Sequence, residues 1–184
     1  MKYSEIKNQQ FQFWKNEPVM EFDENVNDVE LISESMQIHD IILSDTQHIK
    51  NVDLNDESNM VSIVDFIKTH YQQENKYFLK DYTYNMIKWE IGINGSFYVL
   101  YDNNTIVGVV GVTTKKIQLW DEILDVLYPM FLTIHIDHLN KGFAVALIKK
   151  VINHGIEHGI KSGLFLTNKC VPSPFVKVKY FNRP

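Results

Sequence analysis

The chain reads as an α/β or α+β domain built on a mixed sheet, and three stretches predict it. "INGSFYVLYDNNTIVGVVGVTT" is two apolar runs around an Asp-Asn-Asn turn, the pattern of a hairpin. "KIQLWDEILDVLYPMFLTIHI" continues as a further hairpin or meander. "FAVALIKKVINHGIEHG" then carries a helical period, and "SGLFLTNK" follows as a buried strand. Strands, a helix and a further strand, after an amino-terminal pair of helices, describe a sheet of mixed direction with helices packed on it.

Residues 1–57 hold scattered charges, "FDENVNDVE" among them, and little sustained period, so they read as an extended arm with a short strand. "MVSIVDFIKTHY" puts Val61, Val64, Phe66, Ile67 and Tyr71 near one helical face. "TYNMIKWEI" is a second, short helix. In the late helix, Ala144, Leu147, Ile148, Val151, Ile152 and Ile156 form the expected buried stripe. Lys149, Lys150, Asn153, His154, Glu157 and His158 are expected to face water, and Gly159 to stop the helix.

With 184 residues the chain is long enough for one domain with a real core. A net charge of −5 argues against broad binding to nucleic acid or anionic membrane. No apolar run is long enough to span a bilayer, and "MKYSEIKNQQ" lacks the apolar centre of a secretory signal. Cys170 is the only cysteine, which rules out an internal disulfide and suits a reducing, cytoplasmic setting.

The loop "HLNKG" between "MFLTIHI" and "FAVALIKK" is the candidate binding feature. A helix start offers unpaired amides and partial positive charge, and so attracts anions. Gly142 there has two readings: a turn that needs positive φ, which composition alone favours, or a place where a ligand meets the backbone. Asn140-Lys141-Gly142-Phe143-Ala144 resembles the pyrophosphate-binding loop of the acyl-CoA N-acyltransferase superfamily, Arg/Gln-x-x-Gly-x-Gly/Ala. Leu139 departs from its first position.

Further stretches, in order, are similar to the amino-terminal half of eukaryotic N-myristoyltransferases. They are "FQFWKNEPV", "FLKDYTYNMIKW", "TIVGVVGV", "MFLTIH", "VPSP" and "KYFNR". The family pattern runs Gln-Phe-Trp, Asp-Tyr, Val-Gly, Phe-Leu-x-Val/Ile-His, Pro-x-Pro and Tyr-Trp-x-Arg. The resemblance implies a GNAT-like acyl-CoA-binding domain over 58–184, with the arm of residues 1–57 along the ligand. It implies myristoyl-CoA as acyl donor, no metal, and acceptors that are peptides or proteins with an amino-terminal glycine. By the same resemblance Gln12, Phe13 and Trp14 lie against the acyl-CoA, and Phe131 and Leu132 supply backbone amides to an oxyanion hole. Thr133 and Ile134 follow the pantetheine, and Asn140, Gly142, Phe143 and Ala144 contact phosphates with Lys141 nearby. Fixed amide donors stabilise a developing oxyanion by roughly 3 kcal/mol each.

Met130 and Leu166 replace an asparagine and a threonine that the family keeps near the attacking amine. The family's second half, with most of the peptide groove and a terminal carboxylate that acts as base, is expected to be missing beyond Pro184. Two alternatives follow: an acyl-CoA-binding protein without transferase activity, or a small-molecule N-acetyltransferase of the same fold. A second copy could also complete the groove. "HGIEH" spells a zinc-peptidase pattern, but the helical period puts His154 and His158 on the wet face, and a solvated face is expected. His135 is expected to be a hydrogen-bonded core histidine, and Cys170 a plain buried thiol.

Overall fold

A computed structural model describes residues 37–71, 81–119 and 121–164 of the chain. They form a five-stranded sheet in the order β1-β2-β3-β4-β5. β1 (Gln47–Asp53), β2 (Ser96–Asp102), β3 (Thr105–Leu119) and β4 (Glu122–Ile134) make an antiparallel meander. β5 (Ser162–Gly163) runs parallel to β4, paired at Val126↔Ser162 and Leu127↔Gly163. Helices α1 (Glu57–His70) and α2 (Tyr84–Ile91) precede β2, and α3 (Phe143–Glu157) joins β4 to β5. The mixed sheet is the expected one.

The β2–β3 turn is tight because Asn103 and Asn104 both take positive φ, 48° and 64°, the geometry of a two-residue turn that matches strand twist. β1 is the short strand expected in the arm. It pairs with β2 over all seven of its residues, so the sheet begins at Gln47, inside the stretch read as arm. Residues 1–36 and 165–184 lie outside the described residues, and with them Gln12, Phe13, Trp14, Leu166, Cys170, the acidic run and most of "SGLFLTNK".

α1 and α2 cover one face of the sheet and α3 the other. Met60, Ile63, Val64, Ile67, Ile87 and Ile91 pack with Phe97, Val99, Val109 and Phe131 on the first. Phe143, Leu147 and Val151 pack with Leu100, Val110, Val112 and Leu127 on the second. Two glycines of β3 admit these layers. A Cβ at Gly108 would come within 3.1 Å of Leu147 in α3, and one at Gly111 within 2.7 Å of Ile91 in α2.

Helix phase departs from the expected faces in two places. α1 starts at Glu57, capped by the Asp56 side chain, and its core stripe is Met60, Ile63, Val64 and Ile67. Val61, one residue and about 100° round from Met60, is 57% exposed, and Tyr71 beyond the helix is 43% exposed. In α3 the buried positions are Phe143, Ala146, Leu147, Val151, Asn153 and Gly155. Ala144, Ile148, Ile152 and Ile156 are half-buried, because the ridge of Phe143, Leu147 and Val151 sets the phase. Of the residues expected in water, only Glu157 and His158 are exposed. Lys149 donates to the Asp40 carbonyl, and Lys150 lies over the Tyr98 ring. The helix does stop at Gly159 (φ 71°), where the Ile160 amide donates to Gly155 and the Gly159 amide to Ile156. No helix among the described residues is long and apolar enough to cross a membrane.

Candidate functional site

The last turn of β4 is bent by a bulge. Its register against β3 advances from Val109↔Thr133 to Gly111↔Met130, so two residues of β4 stand opposite Val110 alone. The extra residue falls at Phe131 and Leu132. A bulge takes backbone groups out of the regular ladder. Phe131 has φ 55°, a left-handed conformation that costs a side-chain-bearing residue about 1–2 kcal/mol. Its ring holds that conformation in place. It is buried edge-on to Tyr82 (5.4 Å between centroids) and Tyr71 (5.9 Å). Thr133, also buried, donates its hydroxyl to the Phe131 carbonyl at 2.9 Å. Leu132 is 37% exposed. Pro129, just upstream, brings no N–H to the strand.

Beyond Ile134 the chain leaves the sheet. The His135 amide still donates to Val107, then residues Ile136–His138 make one 3-10 turn. Asn140 (φ 62°) and Gly142 (φ 82°, ψ 0°) are both left-handed, and Gly142 is the N-cap of α3 with no side chain capping the helix. Its first amides have no partner within the helix. A cleft of about 360 Å³ opens here, and Ile134, Asn140, Gly142, Phe143 and Ala144 line it together. A Cβ added at Gly142 would meet nothing within 4 Å. The turn reading of this glycine is met by its positive φ, and its backbone faces open space. Lys141 is exposed and does not line the cleft. Phe131, Leu132 and Thr133 sit farther back along β4, with Ile134 about 10 Å from Phe131 at the rise of a strand.

Residues 27–178 match the family Myristoyl-CoA:protein N-myristoyltransferase, N-terminal domain. The chain belongs to this family. A probable glycylpeptide N-tetradecanoyltransferase of Caenorhabditis elegans is 23% identical over 97% of this chain and 43% of its own length. The crystal structure of Saccharomyces cerevisiae N-myristoyltransferase with bound myristoyl-CoA superposes with a TM-score of 0.75 at 18% identity, over 89% of this chain and 42% of that one. A GCN5-related N-acetyltransferase from Ralstonia eutropha matches with a TM-score of 0.50 at 11% identity, over 67% of this chain and 84% of its own. The fold is the one these acyltransferases share. The chain spans about two fifths of the length of the N-myristoyltransferases it matches.

In this N-myristoyltransferase domain the cleft has a lining residue that the loop motif does not announce. His138 stacks on Phe143 at 5.7 Å, and its Nδ1 is buried without a hydrogen-bond partner among the described residues. Only its place beside the loop could have marked it in sequence. His135, half-buried, accepts the Asp137 amide at 3.2 Å and lies 4.3 Å from the His70 ring. Burial, then the neighbouring His135, pushes the His70 pKa down. Asp102 is held below the usual carboxylate range, first by the Thr46 hydroxyl and then by the Gln47 amide, with His138 and Lys141 adding to the effect. Lys141 of the loop thus acts partly on Asp102.

The histidines of "HGIEH" are not both in water. His154 is half-buried and shares a hydrogen bond with the Tyr98 hydroxyl at 2.8 Å, while exposed His158 bonds the His154 carbonyl through Nδ1. Contact with Tyr98 of β2 turns His154 inward, which the helical period alone placed outside.

Proposed function

We propose that this domain binds myristoyl-CoA and transfers its acyl group to the amine of an amino-terminal glycine. One observation carries it: a single stretch, residues 131–144, holds both a strand bulge with a left-handed residue and a helix N-terminus opened by a left-handed glycine. These are the two ends that an extended thioester ligand requires. The phosphates lie at the amides after Gly142, where the helix dipole favours anions and no Cβ intervenes. The pantetheine follows Thr133 and Ile134 back along β4. The thioester carbonyl lies at the amides of Phe131 and Leu132, which offer fixed donors to the oxygen as it becomes negative. The amine attacks the carbonyl carbon, and the tetrahedral intermediate collapses with loss of the CoA thiolate. The part of the arm ahead of β1, with Gln12, Phe13 and Trp14, covers the acyl chain, while Gln47–Asp53 belongs to the sheet of the domain. The lone Cys170 suits the cytoplasm as the compartment.

Calorimetry with acyl-CoAs of graded length tests this. Each buried methylene contributes about 0.8 kcal/mol, so even partial burial of the longer chain separates myristoyl-CoA from acetyl-CoA by on the order of a hundredfold or more. Equal affinities would favour a small-molecule N-acetyltransferase. Met130, an apolar side chain next to the bulge, favours a second reading, acyl-CoA binding without transfer. Binding with no single-turnover acylation of a glycine-starting peptide, at any protein concentration, would select it.

A further inference from the structure

Glu90, in the last turn of α2, is the unexplained acid of this fold. Its Oε2 is buried and has no hydrogen-bond partner among the described residues. A carboxylate oxygen removed from water without a donor is costly, and native proteins keep few of them. No lysine among the described residues offsets it: Lys88 is turned to Asn55 and the Tyr84 hydroxyl, and Lys68 pairs with Asp81. The groups around it are phenols. Tyr71 at the end of α1 and Tyr82 ahead of α2 lie 5.8 Å apart, edge to face, and both rings abut Phe131 at the bulge. Burial pushes up the Tyr71 pKa, with Glu90 and then Tyr128 of β4 adding to it. Burial raises Tyr82 to about 12, with Tyr71 and Glu90 adding. Both phenols therefore stay neutral. The next residue, Ile91, rests on Gly111, whose partner on β4 is Met130, one residue before the bulge.

A buried carboxyl oxygen with no donor, in the helical layer whose tyrosine rings abut Phe131 at the bulge, fits a small cation. We propose that Glu90, framed by Tyr71 and Tyr82, is the subsite that receives the ammonium group of the acceptor and takes the proton it must lose. This rests on the acyl transfer proposed above. The balance is simple. The ammonium gives one proton to the Glu90 carboxylate, and the neutral amine forms the N–C bond at the thioester carbonyl. The C–S bond then breaks, and the departing thiolate takes the second N–H proton. A subsite of this kind supplies a proton acceptor that Met130, the apolar side chain next to the bulge, cannot.

The test uses the full chain and its Glu90→Gln variant, with Tyr82→Phe as a second variant that removes one hydroxyl and keeps the ring. Myristoyl-CoA affinity is measured first, by calorimetry; its absence in the unaltered protein would refute the acyl-CoA reading itself. A non-reactive thioether analogue of myristoyl-CoA is then bound, and a glycine-starting peptide is compared with its N-acetylated form. The unaltered protein is expected to prefer the free amine by tenfold or more, and Glu90→Gln to lose that preference while binding acyl-CoA as before. In single turnover the variant should fall about tenfold at pH 7, where roughly a tenth of an α-amine is neutral, and recover towards pH 9. An amine preference that survives Glu90→Gln, or that is absent from the unaltered protein, overturns the proposal. So does a variant that loses acyl-CoA binding, since the residue would then be structural.

Discussion

Asn153 and the backbone of His39 are joined by two hydrogen bonds. The His39 amide donates to Asn153 Oδ1 at 2.7 Å, and Asn153 Nδ2 donates to the His39 carbonyl at 2.9 Å. One buried side chain on α3 thus completes both backbone groups of a residue ahead of β1. Asn153→Leu leaves both groups without that partner, and each unsatisfied buried group costs about 1–3 kcal/mol. The variant is expected to lose about that much stability or somewhat more in urea unfolding. A change under about 0.5 kcal/mol, the size of an ordinary surface substitution, would mean that water replaces the contact without loss.

His154 gives the fold a dependence on pH. Burial lowers its pKa first, and the charge of His158 adds to this. The folded state therefore prefers neutral imidazole, while the unfolded chain takes up its proton near 6.5. Between that value and the lower folded one, the unfolded state binds more protons, so stability falls as pH falls through the window and is fully retained above it. His70 shifts in the same direction, also through burial. Melting at pH 7.5, 6.5 and 5.5 should show a declining midpoint, with a shallower decline in His154→Gln. An equal slope in the variant would assign the effect elsewhere.

Gly108 and Gly111 should resist enlargement for separate reasons. A Cβ at Gly108 presses on Ile134 and Leu147, on the α3 face; one at Gly111 presses on Ile91 and Phe97, on the α2 face. Overpacking of this kind costs about 1–3 kcal/mol. Gly108→Val and Gly111→Val are each expected to fall in that range. Their effects should nearly add, since the two contact sets share no residue. Strong non-additivity in the double variant, read by urea unfolding, would mean that the helical layers move together.

The meander was legible because its signals are local. Strand alternation, the Asn103-Asn104 turn and the apolar run into α3 each show within a few residues. The loop at Gly142 was legible for the same reason: a glycine beside a helix start has few uses. The bulge was hidden, since Phe131 and Leu132 look like any core residues and their backbone angles depend on the tyrosines packed around them. Pro129 was the one local hint that the strand could not be regular. Asn153 was read as a wet residue because its partner is 114 positions away. Glu90 carried no signal, because an acid on a short helix is ordinary until its surroundings are seen.

Gly142 allows its two roles to be separated. At φ 82° and ψ 0° an L-residue is strained, and alanine there should cost about 1–2 kcal/mol. Asparagine tolerates the left-handed region, so Gly142→Asn should melt close to the unaltered protein, with Ala lower and β-branched Val lowest. Packing adds nothing to this order, because a Cβ there meets no neighbour. Acyl-CoA affinity should follow a different order. If the phosphates approach the backbone at this point, every side chain obstructs them, and even the well-folded Asn variant should bind at least tenfold more weakly. The loss should come with a weaker dependence of affinity on salt, since fewer charged contacts are made. If the glycine serves the turn alone, Asn will restore full affinity while Ala and Val lose it only as far as they lose the fold. Calorimetry with myristoyl-CoA alongside thermal melting decides between them, and full affinity in Gly142→Asn would remove the ligand role from this loop.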